Sequence, residues 1–147
     1  MKNIILAVVT IGLLIGCHSK KSLVSQNNLT EEQLAAAQND TVSITNDELE
    51  YEIIIIEPGF NIWLMTNARP EGYYSQSFLE NRNYQYVVEW NQRVMQSRGF
   101  DPNLYQLPID YNPQIDYGYE VNYKLYNYFI YFQLTYNQRL GPFTPRI

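Results

Sequence analysis

The chain has 147 residues, the usual size of one domain, and 46% of them are hydrophobic and 15% aromatic. This composition is too apolar for a disordered protein and is sufficient for a packed core. Ten basic against fifteen acidic residues give a net charge of −5, so the basic footprint of a nucleic-acid-binding protein is missing. No nucleic-acid partner is therefore expected.

The first 16 residues have the pattern of a signal peptide. Lys2 precedes an uncharged run from Ile4 to Gly16, and a run of about 13 residues is shorter than the roughly 20 that cross a bilayer. Leu14-Ile15-Gly16-Cys17 resembles the bacterial lipobox, in which cleavage precedes a cysteine that carries diacylglycerol. The sequence predicts cleavage before Cys17 and lipidation of Cys17. A free thiol behind a signal peptide cleaved elsewhere is the alternative.

Residues 17–40 are rich in Ser, Asn, Gln and Lys and contain few large apolar side chains. Thr30 and Gln33 form a capping-box pattern for a short helix that is marginal by itself. We interpret 17–40 as the lipidated cysteine and a flexible tether. Apolar periodicity begins at Thr41, so a single globular domain is expected over residues 41–147.

The first predicted strand of the domain core is Tyr51 to Glu57, which contains four consecutive isoleucines and stops at Pro58-Gly59. A β-branched run of this length indicates a strand that is buried on both faces. Thr41 to Ile44 alternates polar and apolar residues and is predicted to pair with that strand.

Three helices are predicted after the strands. The first is short, from Phe60 to Asn67, and the second begins at a capping box formed by Ser77 and Glu80 and ends near Gly99. Asn83 lies on the apolar stripe of the second helix, which indicates a kink or a buried hydrogen bond. The third helix is predicted from Tyr119 to Arg139, with more than half of its circumference apolar or aromatic.

The segment from Asp101 to Gly118 contains three prolines and is predicted to be a turn-rich loop with a short edge strand near Leu107 to Tyr111. The order of elements favours an α+β fold. It consists of a small antiparallel sheet of two or three strands packed with one short and two long helices.

The strings Glu52–Phe60, Ala68–Ser77 and Asp116–Leu140 resemble a domain-of-unknown-function family of uncharacterised cell-envelope lipoproteins from Bacteroidota. The resemblance covers roughly residues 46–142 and implies an envelope location but no assigned activity. In that phylum, surface-bound lipoproteins carry acidic residues after the cysteine, and His18–Ser22 has none. The resemblance therefore implies a lipoprotein that faces the periplasm, in the outer membrane. Asp40-Thr41-Val42 also resembles the O-glycosylation acceptor of that phylum, with Thr41 as the modified residue.

No histidine occurs after His18, so histidine-dependent nucleophile systems and zinc sites are not predicted in the domain. Asp110 to Asp116 begins like a calcium-binding loop, but Ile115 and Val121 occupy positions that need glycine and glutamate. We therefore predict no metal site and no cofactor. The remaining catalytic hypothesis is a carboxylate-dependent enzyme acting on envelope glycan, with its acid and base drawn from four residues: Glu89, Asp110, Asp116 and Glu120.

Fourteen tyrosines are the most unusual feature, and eight of them fall between Tyr111 and Tyr136. Tyrosine combines a rigid apolar body with one polar tip, which suits contact surfaces. We predict a non-catalytic binding or scaffolding module, joined to the membrane by its lipid anchor, that contacts an envelope protein or glycan. The expected contact surface consists of Tyr73, Tyr74, Tyr117, Tyr119, Tyr123, Tyr126 and Tyr131.

Overall fold

The computed structural model describes residues 30–39, 41–47, 50–96 and 98–147. The predicted α+β fold is confirmed, with a two-stranded antiparallel sheet, one short helix and two long helices in the domain, and a further short helix before them. The elements in chain order are α1 (Glu31–Gln38), β1 (Thr41–Asn46), β2 (Tyr51–Ile56), α2 (Phe60–Asn67), α3 (Gln76–Met95) and α4 (Gly118–Thr135).

The sheet is a hairpin in which Ile44 pairs with Ile53 and Ser43 pairs with Ile54. Side chains directly opposite each other share a face, so Ile44 and Ile53 point into the domain. The other face carries Ile54 and Ile56, which are 62% and 75% exposed. The prediction that this strand is buried on both faces is therefore wrong, because no described element covers the outer face of the hairpin.

The short helix α2 follows directly on Gly59, which has a left-handed φ of 83° that glycine adopts without strain. Its first residue, Phe60, is fully buried. The helix ends at Asn67, as predicted, and Ala68 is extended ahead of Arg69-Pro70. Helix α1 packs against α2, and the side chain of Asn61 donates to the carbonyl oxygens of Asn39 and Thr41.

Ser75 caps helix α3 by accepting a hydrogen bond from the Phe78 amide. The predicted capping box of Ser77 and Glu80 is therefore wrong by two residues, since Ser75 offers the same hydroxyl one half-turn earlier. The helix ends at Met95 rather than near Gly99. Both differences lie at helix termini, and Asn83, which is predicted on the apolar stripe of this helix, is fully buried.

Helix α4 is the centre of the domain and is buried on nearly all sides over Val121–Gln133. It packs against α3, against α2 and against β1. The helix ends at Thr135, four residues before the predicted end at Arg139, because Asn137 takes a left-handed φ of 51°. A helix enclosed in this way needs apolar or hydrogen-bonded side chains around its whole circumference.

The interface of α3 and α4 contains a buried polar network. The side-chain amide of Asn83 donates to the backbone carbonyl oxygen of Asn122 at 2.9 Å and to the side-chain oxygen of Asn122 at 3.1 Å. The Tyr111 hydroxyl donates to the same side-chain oxygen at 2.7 Å. Of the two predictions for Asn83, the buried hydrogen bond is confirmed.

The loop of residues 101–117 contains no strand among the described residues, so the predicted edge strand near Leu107 to Tyr111 is wrong. Side chains of α3 bind its backbone instead. Asn91 both donates to the Ile109 carbonyl at 2.8 Å and accepts from the Ile109 amide at 2.8 Å, and the Trp90 indole donates to the Leu107 carbonyl. These groups replace the strand partner that the loop would otherwise need.

Candidate functional site

The tyrosines of the predicted contact surface do not form an exposed patch. Most of them are buried, and Tyr73 is exposed at 58%. Tyr74 and Tyr119 are half-buried. The expectation that these rings are exposed is therefore wrong for the other four: Tyr117, Tyr123, Tyr126 and Tyr131.

Three of these buried tyrosines form hydrogen bonds between their hydroxyl groups and the backbone of loops. Tyr131 donates to the Pro58 carbonyl oxygen at 2.6 Å, and Tyr123 donates to the Arg69 carbonyl oxygen at 2.7 Å. The Tyr117 hydroxyl accepts from the amide of residue 112 at 3.0 Å. Each ring fills the core while its polar tip satisfies a loop backbone group, so burial leaves no unpaired hydroxyl at these positions.

Tyr73, Tyr74 and Tyr119 meet at the loop before α3. The Tyr119 hydroxyl accepts from the Gly72 amide at 2.6 Å and donates to the Tyr74 carbonyl at 3.2 Å. The Tyr73 ring packs edge-on against Tyr74, and the Arg69 guanidinium lies 5.1 Å from its centroid. Only the Tyr73 ring of this group offers a large accessible surface.

The four candidate catalytic residues have separate structural partners. Glu89 pairs with Arg93 at 2.7 Å, and Glu120 pairs with Lys124 at 2.7 Å. Asp116 accepts hydrogen bonds from the Gln76 amide and from the Gly118 backbone. Asp110 lies in the loop beside β2, where its carbonyl oxygen accepts from the Tyr51 hydroxyl at 2.6 Å. The carboxylates of Glu89, Asp116 and Glu120 therefore have separate partners, whereas the contact of Asp110 is made by its backbone carbonyl.

A groove of about 680 Å³ lies along the edge of β2 that is not paired with β1. Among the described residues, its lining includes side chains from both faces of β2 and none from β1. The loop of residues 103–110 forms the opposite wall, with Leu107 exposed at 74%. Trp90, Tyr128 and Phe132 from the two long helices form the floor.

Hydrogen bonds define the two ends of the groove. At one end, the Tyr51 hydroxyl bond to the loop joins β2 to Asp110. At the other end, the Tyr136 hydroxyl donates to the carboxylate of Glu57 at 2.7 Å. Burial raises the pKa of Glu57, and burial together with the bond to Glu57 raises the pKa of Tyr136 to about 12. Tyr136 therefore remains a donor at neutral pH.

The groove is acidic. Glu50, Glu52, Glu57 and Asp110 line it, and none of its described lining residues is Lys or Arg. A strip of carboxylates beside exposed Ile54 and Ile56 attracts ligands that combine positive charge with apolar surface.

Sequence reasoning missed the groove because its parts are far apart in the chain. The isoleucine run has the pattern of a core strand, and the loop has the pattern of a turn-rich connection. One signal could have indicated the exposed edge: Glu52 and Glu57 flank the isoleucines, and charged residues are typical of strand edges.

The chain matches the model of a family of unknown function, DUF6146, over residues 4–144. It belongs to this family. The match confirms the resemblance to a domain of unknown function and extends over residues at both ends of the predicted region. No curated protein and no solved structure matches the chain.

The structure describes one of the two predicted modification sites in this DUF6146 chain. Cys17 and the signal peptide lie outside the described residues. Thr41 is exposed at the start of β1, and its glycosylation remains a prediction.

Within the described ranges, no three His, Cys, Asp or Glu side chains group into a site for a metal ion. None of the described helices has the length and apolar character to cross a membrane.

Proposed function

We propose that this DUF6146 member is a membrane-anchored lipoprotein of the cell envelope whose domain binds a partner without chemical change. The groove beside β2 is the binding site. Its volume falls within the roughly 300–1,000 Å³ of typical ligand sites, and it joins an aromatic floor to an exposed aliphatic rim. That juxtaposition is the observation that carries the proposal.

Two features support the anchored part of the proposal. Cys17 ends an apolar run with a lipobox-like sequence, and the family match begins at residue 4, inside that run. The segment His18–Ser22 directly after the cysteine carries no acidic side chain. We place the domain on the periplasmic side of the outer membrane, in a bacterium of the Bacteroidota.

The positions of Glu52 and Glu57 do not suit a catalytic pair for glycan hydrolysis. Hydrolysis requires two carboxyl groups roughly 5–10 Å apart that flank the scissile bond within one site. Glu52 and Glu57 are five residues apart on an extended segment, so they point to opposite faces. Glu52 accepts from the Ser43 hydroxyl on the outer face, whereas Glu57 is buried against Tyr136.

Site-specific photocrosslinking in intact cells tests the binding role. A benzophenone amino acid at Leu107 places the probe in the groove, and the same amino acid at Met95 is the control. Met95 is 79% exposed on α3 and does not line the groove. We expect a discrete adduct from Leu107 that Met95 does not give. Equal adducts from the two positions, or none from Leu107, would contradict the binding role of the groove.

Fractionation of cells that express Cys17→Ser tests the anchor. We expect the parent chain to need detergent for extraction and the variant to be released with the soluble envelope fraction, because the acyl chains provide the membrane affinity. A variant that still requires detergent would show that the chain is held by something other than a lipid on Cys17.

A further inference from the structure

We propose that the groove takes an extended polypeptide that adds to β2 as a third strand and alternates apolar with basic side chains. This inference rests on the proposed function and names the class of its partner. Among the described strands, β2 is hydrogen-bonded to β1, so one edge of β2 is paired within the sheet.

In an antiparallel pair, every second residue of an outer strand directs its amide and carbonyl away from the partner strand. We infer that in β2 these groups face the groove, because residues of both faces of β2 line it and no described residue of β1 does. An extended chain satisfies such a row of groups, which is the mode called strand addition. The six residues of β2 provide about 20 Å of edge for it.

The side-chain pattern of the partner follows from the two sides of the groove. Residues that point inward lie beside the half-buried Ile53 and over the buried rings of Trp90, Tyr128 and Phe132, so apolar side chains fit there. Residues that point outward lie beside the outer face of the hairpin, where Glu52 is flanked by the exposed isoleucines of β2 and the exposed hydroxyl residues of β1. Basic side chains with long apolar stems fit that face.

Charge argues against a second copy of the chain as the occupant. Pairing two β2 edges would bring together two acidic strips, each with Glu50 and Glu52, in a protein of net charge −5. Like charges on neighbouring strands are destabilising. A basic partner is instead attracted by the same carboxylates.

The proposal is tested by the binding of an alternating valine–lysine octapeptide to the full chain in detergent micelles. Two control peptides separate the contributions: one has N-methyl groups on the amides of one edge, and the other replaces lysine by glutamate. We expect either change to weaken binding at least about tenfold, because the first removes strand hydrogen bonds and the second reverses the charge. Equal binding of the N-methylated peptide would overturn strand addition.

Matched protein variants test whether the peptide binds in the groove. Leu107→Arg puts a cation on the groove wall and should weaken binding about tenfold. Met95→Arg adds the same charge outside the groove and should change the affinity by less than about twofold. Equal weakening by both variants would indicate non-specific attraction to an acidic protein and overturn the proposal.

Two further outcomes distinguish this inference from the proposed function. If photocrosslinking at Leu107 gives its adduct but the octapeptide does not bind, the groove has a partner and strand addition is wrong. If the octapeptide binds only after Lys20→Glu and Lys21→Glu, the occupant is the chain's own N-terminal segment, and the proposal of a separate partner is overturned.

Discussion

The helical half of the domain and its hairpin distribute apolar surface in opposite ways. On α4, tyrosines that would serve as contact residues on another protein are buried, with hydroxyls bound to loop backbone. On β2, isoleucines that would normally form a core are exposed. Burial in this domain therefore depends first on whether a neighbouring element covers the side chain, and only secondarily on the hydrophobicity of that side chain.

The largest effect should follow from truncating a buried tyrosine. Tyr131→Ala removes a ring that packs against Phe60 and Trp63 and a hydroxyl bound to Pro58, so we expect a loss of about 3–5 kcal/mol in the free energy of unfolding. Chemical denaturation measures it. Tyr73→Ala is the control, with a change within about 0.5 kcal/mol. Similar small losses in both variants would mean that α4 is not enclosed.

A second substitution tests the polar network between the long helices. Asn122→Ala leaves the Asn83 amide and the Tyr111 hydroxyl without the side-chain oxygen they bind. A buried group that loses its partner costs about 1–3 kcal/mol. We expect a loss in that range in the free energy of unfolding. Asn112→Ala, at an exposed position, is the comparison, and equal losses would refute a special role for the network.

Glu57→Gln probes the junction of the two halves through pH. Because the folded-state pKa of Glu57 is raised above its ordinary value of 4.5, its stabilising contribution is present below that value and declines as pH rises through the raised pKa. Glutamine still accepts a hydrogen bond from Tyr136 but does not ionise. We therefore expect the variant to gain stability relative to the parent as pH increases from about 4 to about 8. A difference that is constant across this range would contradict the assignment.

The smallest effect is expected on the outer face of the hairpin. Ile56→Ala should change the free energy of unfolding by no more than about 0.5 kcal/mol, because the side chain is exposed. Ile44→Ala, on the inner face, is the matched control and should cost about 2–5 kcal/mol. Equal costs would show that another surface covers Ile56 in solution.

The sequence predicted the type of nearly every element but not which surfaces were covered. Helix α2 and the hairpin followed from local patterns, since isoleucine runs and helical spacing act over a few residues. Four isoleucines in a row carry no alternation, so they could not reveal that Ile54 and Ile56 face outward. The groove could not be predicted because it depends on where a distant loop lies, and side chains far away in the chain, Asn91, Trp90 and Tyr51, bind that loop.

The acceptors of the tyrosine hydroxyls have a consequence for how this family can vary. Tyr131, Tyr123 and Tyr51 bind main-chain carbonyls at residues 58, 69 and 110. A carbonyl is present whatever side chain the residue carries. Substitutions in these loops therefore leave the bonds intact, whereas loss of a tyrosine removes one outright. Homologous chains should diverge at the loop positions while the tyrosines stay invariant.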